Sequence, residues 1–229
     1  MYMRIAANIL LVWFALTPIS TIASPSPQKP QTTQSITKKL GIKNNEFTIH
    51  WNERLGTPSL LQGSLSSPSA HSPQWIAYGF FNKLRSTYGL RDPKRDLQIV
   101  DLERTSDLNT NLKLQQLLFN TPVYGATLTV RIDNSGVVRL VEGTIYPHLE
   151  RTLFNRATHP ALSPKQAKQI ALQHLTDKDA YVQQEPDVRL YYYPLRGGTQ
   201  LIYEVTFQPA DSAGLARTKV HALMGHVIP

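Results

Sequence analysis

No cysteine occurs among the 229 residues. The chain therefore has no disulfide, no thiol nucleophile, no thiolate metal ligand and no cysteine to carry a lipid. An exported chain without disulfides is held by its core, so a packed body of some size is required. Familiar catalytic spacings are missing too: there is no HExxH, no GxSxG, no phosphate-cradling glycine loop and no calcium loop. Basic side chains outnumber acidic ones, 24 to 16, for a formal charge of +8. They are scattered and never form the dense runs of a nucleic-acid arm, so nucleic acid is not an expected partner. The excess suits contact with acidic surfaces.

Export is written at the start. Arg4 precedes an almost wholly apolar run from Ile5 to Leu16, and Thr21 and Ala23 supply small residues before a cleavage point at Ser24. Residues 1–23 are read as a signal peptide. The apolar run is short for a span of about 20 residues, so no stable membrane span is expected after cleavage. The rival reading keeps the segment as an anchor. Residues 24–41, rich in Pro, Gln, Ser and Thr up to about Lys39, are expected to be a flexible linker.

The stretch Thr121–Leu149 organises the rest of the chain. Tyr124, Ala126, Leu128, Val130 and Ile132 alternate with Gly125, Thr127, Thr129 and Arg131, the period of a strand with one packed face. Asp133-Asn134-Ser135-Gly136 is a turn in which Gly136 is free to take a positive φ. A return strand from Val137 to about Ile145 completes an antiparallel hairpin. Upstream, Phe47, Ile49 and Trp51 alternate, and Leu60 to Leu65 is a second weak strand. Ser72 and Pro73 open a helix, with Ile76, Phe80, Leu84 and Tyr88 on one side, widened by Ala77 and Phe81 and closed by Gly89. Leu97–Leu102 and Leu112–Phe119 read as strands. Further on, Ser163 caps a second helix with Gln166 in the reciprocal position, and Ala167, Ile170, Ala171 and His174 line one face. Val188, Leu190 and Tyr192 alternate, Gly197-Gly198 turns the chain, and Leu201, Tyr203, Val205 and Phe207 alternate again. Residues 217–223 and 226–228 give a last strand and its turn. The fold class is α+β, in two small modules spanning 42–150 and 160–229, each a helix packed on an antiparallel sheet.

Residue types that could carry chemistry have blander explanations. Trp75 with Phe80 and Phe81 could cage a ligand, but an aromatic stripe at helical spacing is expected in the core. His174 falls on a helix flank. His221 and His226 are five apart, which is not a helical ligand spacing. Asp177 and Asp179 sit in a polar loop, where carboxylates are solvated. No catalytic residue, no cofactor-binding residue and no metal ligand is assigned, so the chain reads as a secreted, non-enzymatic binding or folding module.

Two segments resemble a known family. Residues 121–130, TPVYGATLTV, with DNSGVV at 133–138 and Gly143, look like the N-terminal propeptide (FTP) module of thermolysin-like and fungalysin-like metalloproteases. Gly56-Thr57-Pro58, Gly63-Ser64-Leu65 and the helix holding Phe80, Phe81 and Leu84 resemble its lead-in. Residues 162–171, LSPKQAKQIA, and 201–205, LIYEV, look like the PepSY module that follows it in those precursors. The resemblance implies a propeptide-like protein that assists folding of a thermolysin-like metalloprotease catalytic domain, inhibits it, or both. It carries over no protease activity, because the zinc-binding catalytic motif is not in this sequence. Residues 220–228, VHALMGHVI, look like the last strand and turn of the second module, with His221 where the family often has an acid. A long tail to enter a cleft is not expected, which favours assistance in folding over competitive inhibition. The alternatives are a truncated precursor fragment and an extracellular interaction module with another partner.

Overall fold

The computed structural model describes residues 33–42, 47–105, 107–153, 158–175, 185–208 and 214–229. The expected signal peptide lies outside them, as does the linker up to residue 32. The rest of the linker is not irregular: Thr33–Leu40 forms helix α1, with Ile36 and Leu40 buried and Gly41 closing it at φ 71°. Two apolar residues four apart share one helix face, and burying that stripe overcomes the polar composition around it.

Strands β1 (Phe47–Asn52) and β2 (Thr57–Gly63) form a hairpin, followed by α2 (Pro73–Lys83) and the short α3 (Pro93–Asp96). Then come β3 (Leu97–Arg104), β4 (Thr110–Leu118), β5 (Thr121–Ile132) and β6 (Val138–Gly143). Ser72 caps α2 by accepting from the Trp75 N–H, and Pro73 occupies the first turn, a start worth about 1 kcal/mol. The regular helix stops at Lys83, short of the expected Gly89, but turns carry the chain on so that Leu84 and Tyr88 remain in the core. Sheet order on this side is β1-β2-β6-β5, with β4 bridging β5 and β3. Leu61, Leu112, Leu114, Leu128, Val130, Val138 and Val141 meet Ile76, Ala77, Phe80 and Phe81 of α2 in one core.

The turn between β5 and β6 is built from its own residues. Asp133 Oδ1 accepts from the backbone N–H groups of Ser135 (3.0 Å) and Val137 (2.9 Å), and Oδ2 receives Arg139 Nε at 2.7 Å. Gly136 takes φ 75°, and a Cβ there would lie 1.9 Å from the Ser69 carbonyl oxygen. Only glycine fits this position.

The remaining elements are α4 (Pro164–Gln173), β7 (Asp187–Leu195), β8 (Gly198–Phe207), β9 (Ala216–His221) and β10 (Val227–Ile228). Ser163 and Gln166 form the full reciprocal cap of α4. Ala167 and Ala171 of α4 pack on Tyr192, Leu201, Tyr203, Val205, Phe207 and Val220, a second core. Tyr203 Oη donates to the Leu162 carbonyl at 2.9 Å, fixing the lead-in to the helix on the sheet.

The two sheets are not separate. Val123 of β5 pairs in parallel with Tyr192 of β7, so one mixed sheet runs β1-β2-β6-β5-β7-β8-β9-β10. The architecture is α+β, as expected, with β5 serving both cores. Gly125, at φ 68°, lies where that strand changes allegiance. On its far side Leu128, Val130 and Ile132 face the first core, and on its near side Val123 faces the second. The simple alternation read through Tyr124 therefore breaks: Val123 is buried and Tyr124 is thrown to the opposite face. Gln115 stabilises the switch, its Nε2 donating to the carbonyls of Val123 (2.7 Å) and Ala126 (3.0 Å).

Candidate docking surface

Alternation in β7 sends Tyr192 into the second core and leaves Tyr191 and Tyr193 on the face that α4 does not cover. Tyr124 arrives on that same face because of the switch at Gly125. Its ring meets Tyr191 edge-on at 5.6 Å between centroids and Tyr193 at 5.2 Å. Lys219, from β9, lies 4.8 Å from the Tyr193 ring and 5.8 Å from that of Tyr124. Its Nζ also donates to Tyr193 Oη at 3.4 Å and to the Pro229 carbonyl at 3.2 Å. A cation over such rings contributes about 0.5–1 kcal/mol at an exposed site. Glu204 of β8 stands opposite Lys219 and is hydrogen-bonded to the Tyr124 hydroxyl. Partial burial, then the Glu204 carboxylate, push that hydroxyl's pKa up.

The result is a patch of three half-buried tyrosines with a lysine and a glutamate, held in place by contacts within the sheet. Rigid aromatic bodies with polar tips gain contact area at small entropic cost, the composition favoured at protein interfaces. Sequence reasoning passes over this patch. The available signal is the set of residues left over by the core alternation, Tyr191 and Tyr193 between Leu190, Tyr192 and Pro194.

The residues weighed from sequence fall elsewhere. Phe80 and Phe81 are core, but Trp75 is 57% exposed and stacks on His71 at 3.9 Å. It does not join them because positions 75 and 80 lie on different sides of α2. His174 is an exposed helix-end residue whose Nδ1 contacts the Ile170 carbonyl at 2.9 Å. His221 and His226 do come together, stacked 4.9 Å apart, but in a structural role. His221 is 1% exposed, and its Nδ1 accepts the backbone N–H groups of Leu223 (3.2 Å) and Met224 (3.3 Å), closing the turn before β10. Burial, and then His226, hold its pKa below the ordinary value. The β7–β8 turn is Arg196-Gly197, one residue earlier than the expected Gly197-Gly198, and Gly198 opens β8 by pairing with Leu195. Asp177 and Asp179 lie outside the described residues. Among the described residues no three His, Asp or Glu side chains gather as a metal site, and no helix is long and apolar enough to cross a membrane.

No family model matches the chain. Thermolysin of Alicyclobacillus acidocaldarius subsp. acidocaldarius is 30% identical over 172 residues, covering 72% of this chain and 30% of that protein. Thermolysin of Bacillus caldolyticus gives the same figures. Bacillolysin of Bacillus cereus is 24% identical over 173 residues, 74% of this chain and 30% of the relative. Among solved structures, the Bacillus megaterium YpeB C-terminal domain superposes with a TM-score of 0.38 at 12% identity, over 85% of this chain and 92% of that one. The chain spans less than a third of the length of the curated relatives it matches. What they share with it is their non-catalytic part. The chain is homologous to the N-terminal, propeptide-like region of thermolysin and bacillolysin precursors.

Proposed function

We propose that this chain assists the folding of a thermolysin-like metalloprotease catalytic domain and, where the complex persists, restrains its activity. The protein is extracytoplasmic, and so is the protease it would serve. The observation that carries the reading is the restriction of the homology to a propeptide-like region, over 72% of this chain. We assign the folding role to two units, an FTP-like one at 42–150 and a PepSY-like one at 160–229, joined rigidly through β5. A body with two cores and a fixed Tyr124–Tyr191–Tyr193–Lys219 patch offers a preformed surface. Such a surface can hold a folding intermediate of the partner without first paying to order itself. Stabilising an arrangement already present in the partner's folding transition state raises its folding rate.

The test refolds a denatured thermolysin-like catalytic domain with and without an equimolar amount of this chain and measures casein cleavage after dilution. Recovered activity rises with the chain present, and the chain alone cleaves nothing. Replacing Tyr193 and Lys219 together by alanine removes most of the gain. No gain in activity, together with no calorimetric binding to denatured or native protease, would refute the role.

A further inference from the structure

A second feature lies away from the tyrosine patch, where the two cores meet. A groove of about 540 Å³ opens between the β1–β2 turn, the segment after β6 and the β7–β8 turn. Each of the three segments brings one arginine: Arg54, Arg151 and Arg196, all exposed. Among the described residues no aspartate or glutamate lines the groove, and none of the three arginines is in an ion pair. The nearest carboxylate in sequence to Arg151, that of Glu150, reaches out to Arg91 at 3.6 Å instead. The same groove is lined by Leu55, Leu153 and the 39% exposed Leu195, with Tyr146 and Thr152 beside them.

The groove is built in advance. The Thr199 N–H donates to the Thr152 carbonyl at 2.6 Å, and the two threonine hydroxyls are 2.9 Å apart. Leu153 and Thr199 add a parallel bridge. These contacts fix the β7–β8 turn against the connector and so hold the backbone beside Arg151 and Arg196, while the turn that carries Arg54 is closed by the Leu55 and Gly56 N–H groups donating to Asn52. Three arginines with no carboxylate among the lining residues give the groove a net positive charge that a partner's anions would offset. A lone anion would satisfy the guanidinium groups but leave the leucines wet. A polypeptide segment that alternates carboxylate and apolar side chains satisfies both, through forked hydrogen bonds and buried area.

We propose that this groove binds an acidic, leucine-like segment of a partner protein, with carboxylates on Arg54, Arg151 and Arg196 and an apolar side chain between them. The inference rests on charge and shape at the groove and stands apart from the folding role. The probe is a fluorescein-labelled octapeptide of alternating glutamate and leucine, titrated with the full chain by anisotropy. Binding is expected, weakening on going from about 50 to about 300 mM salt as the Debye length shrinks. The same peptide with glutamine for glutamate does not bind. The pair Arg151→Gln and Arg196→Gln weakens binding at least about tenfold, whereas Lys83→Gln with Arg85→Gln, an equal loss of charge on α2 and the turn after it, changes it little. Amide shifts of Thr152 and Thr199 move on titration.

Equal weakening by the two double variants would show attraction to net charge alone and overturn the proposal. So would displacement of the peptide by inorganic phosphate at matching concentration, which would make the groove a small-anion site. Tighter binding of a single-stranded oligonucleotide than of the peptide would overturn it as well. No protease enters this experiment, so its failure leaves the folding role untouched, and failure of the refolding assay leaves the groove untouched.

Discussion

Replacing Gly136 by alanine is the sharpest perturbation the hairpin offers, because Gly125 supplies an internal control. Both glycines have left-handed backbone, φ 75° at Gly136 and 68° at Gly125. An alanine at either position carries the same conformational cost, about 1–2 kcal/mol. At Gly125 a Cβ would have nothing within 4 Å, so that cost is nearly the whole effect. At Gly136 the new Cβ would lie 1.9 Å from the Ser69 carbonyl oxygen and 3.0 Å from its nitrogen. The obstacle is backbone, and it is tied down, since the Ser69 N–H donates to the Ser135 carbonyl at 3.0 Å. Relieving the clash means moving the loop before α2 and breaking that bond, worth a further 1–3 kcal/mol or so by analogy with overpacked sites. Gly125→Ala should therefore lose about 1–2 kcal/mol and Gly136→Ala about 3 or more. Urea midpoints with an unchanged slope measure both. Equal losses would refute the reasoning, because they would mean that the loop carrying Ser69 gives way freely and that left-handed strain alone sets the cost.

Two pH experiments test the turns at either end of the molecule. Partial burial works against ionised Asp133, but the Ser135 and Val137 hydrogen bonds and Arg139 outweigh it and hold its pKa at about 2. A folded pKa below the unfolded value contributes stability above pH 3.8, lost as the pH falls towards 2, so Asp133→Asn should flatten the acid limb of the stability profile there. His221 is held below its ordinary 6.5 by burial and then by His226, and protonated Nδ1 can no longer accept from Leu223 and Met224. Its contribution is likewise present above 6.5 and lost as the pH falls below it. His221→Gln should remove that component, read as a smaller drop in melting temperature between neutral and mildly acidic buffer.

Much of the fold is legible in the sequence because local signals and burial agree. Ser72-Pro73 and Ser163-Gln166 mark helix starts by chemistry confined to one turn, and both stand in the structure. The alternation of Leu201, Tyr203, Val205 and Phe207 is that of a strand with a packed face, and all four are buried, although Ile202 on the other face is buried as well. The misleading signals are non-local in origin. The polar lead-in reads as flexible because composition outweighs the Ile36–Leu40 pair, whose value depends on a core contributed by residues far along the chain. Trp75 reads as core when its aromatic character is grouped with Phe80 and Phe81, although helical spacing sets it on another side of α2, where it stays 57% exposed. The tyrosine patch is hidden for a similar reason. Its tyrosines come from β5 and β7, which are about sixty residues apart in sequence and adjacent only because Val123 pairs with Tyr192.

The pairing of β5 with β7 also governs how the molecule would act on a partner. Two modules on a flexible tether would bind a folding protein as independent weak sites, each losing entropy on contact. Here β5 lends its first residues to one core and its last to the other, and Gln116 locks the connector by bonding both ways to Tyr146, at 2.8 and 2.9 Å. Gln116 is 5% exposed, so loss of either bond would leave a buried polar group unpaired. The tyrosine patch and the arginine groove thereby belong to one body, joined through the β5–β7 pairing. A folding partner that touches the tyrosine patch would meet a template whose ordering is already complete, and the free energy of contact would go into the partner's own arrangement. This is the property a folding assistant needs, and it originates in one glycine-broken strand.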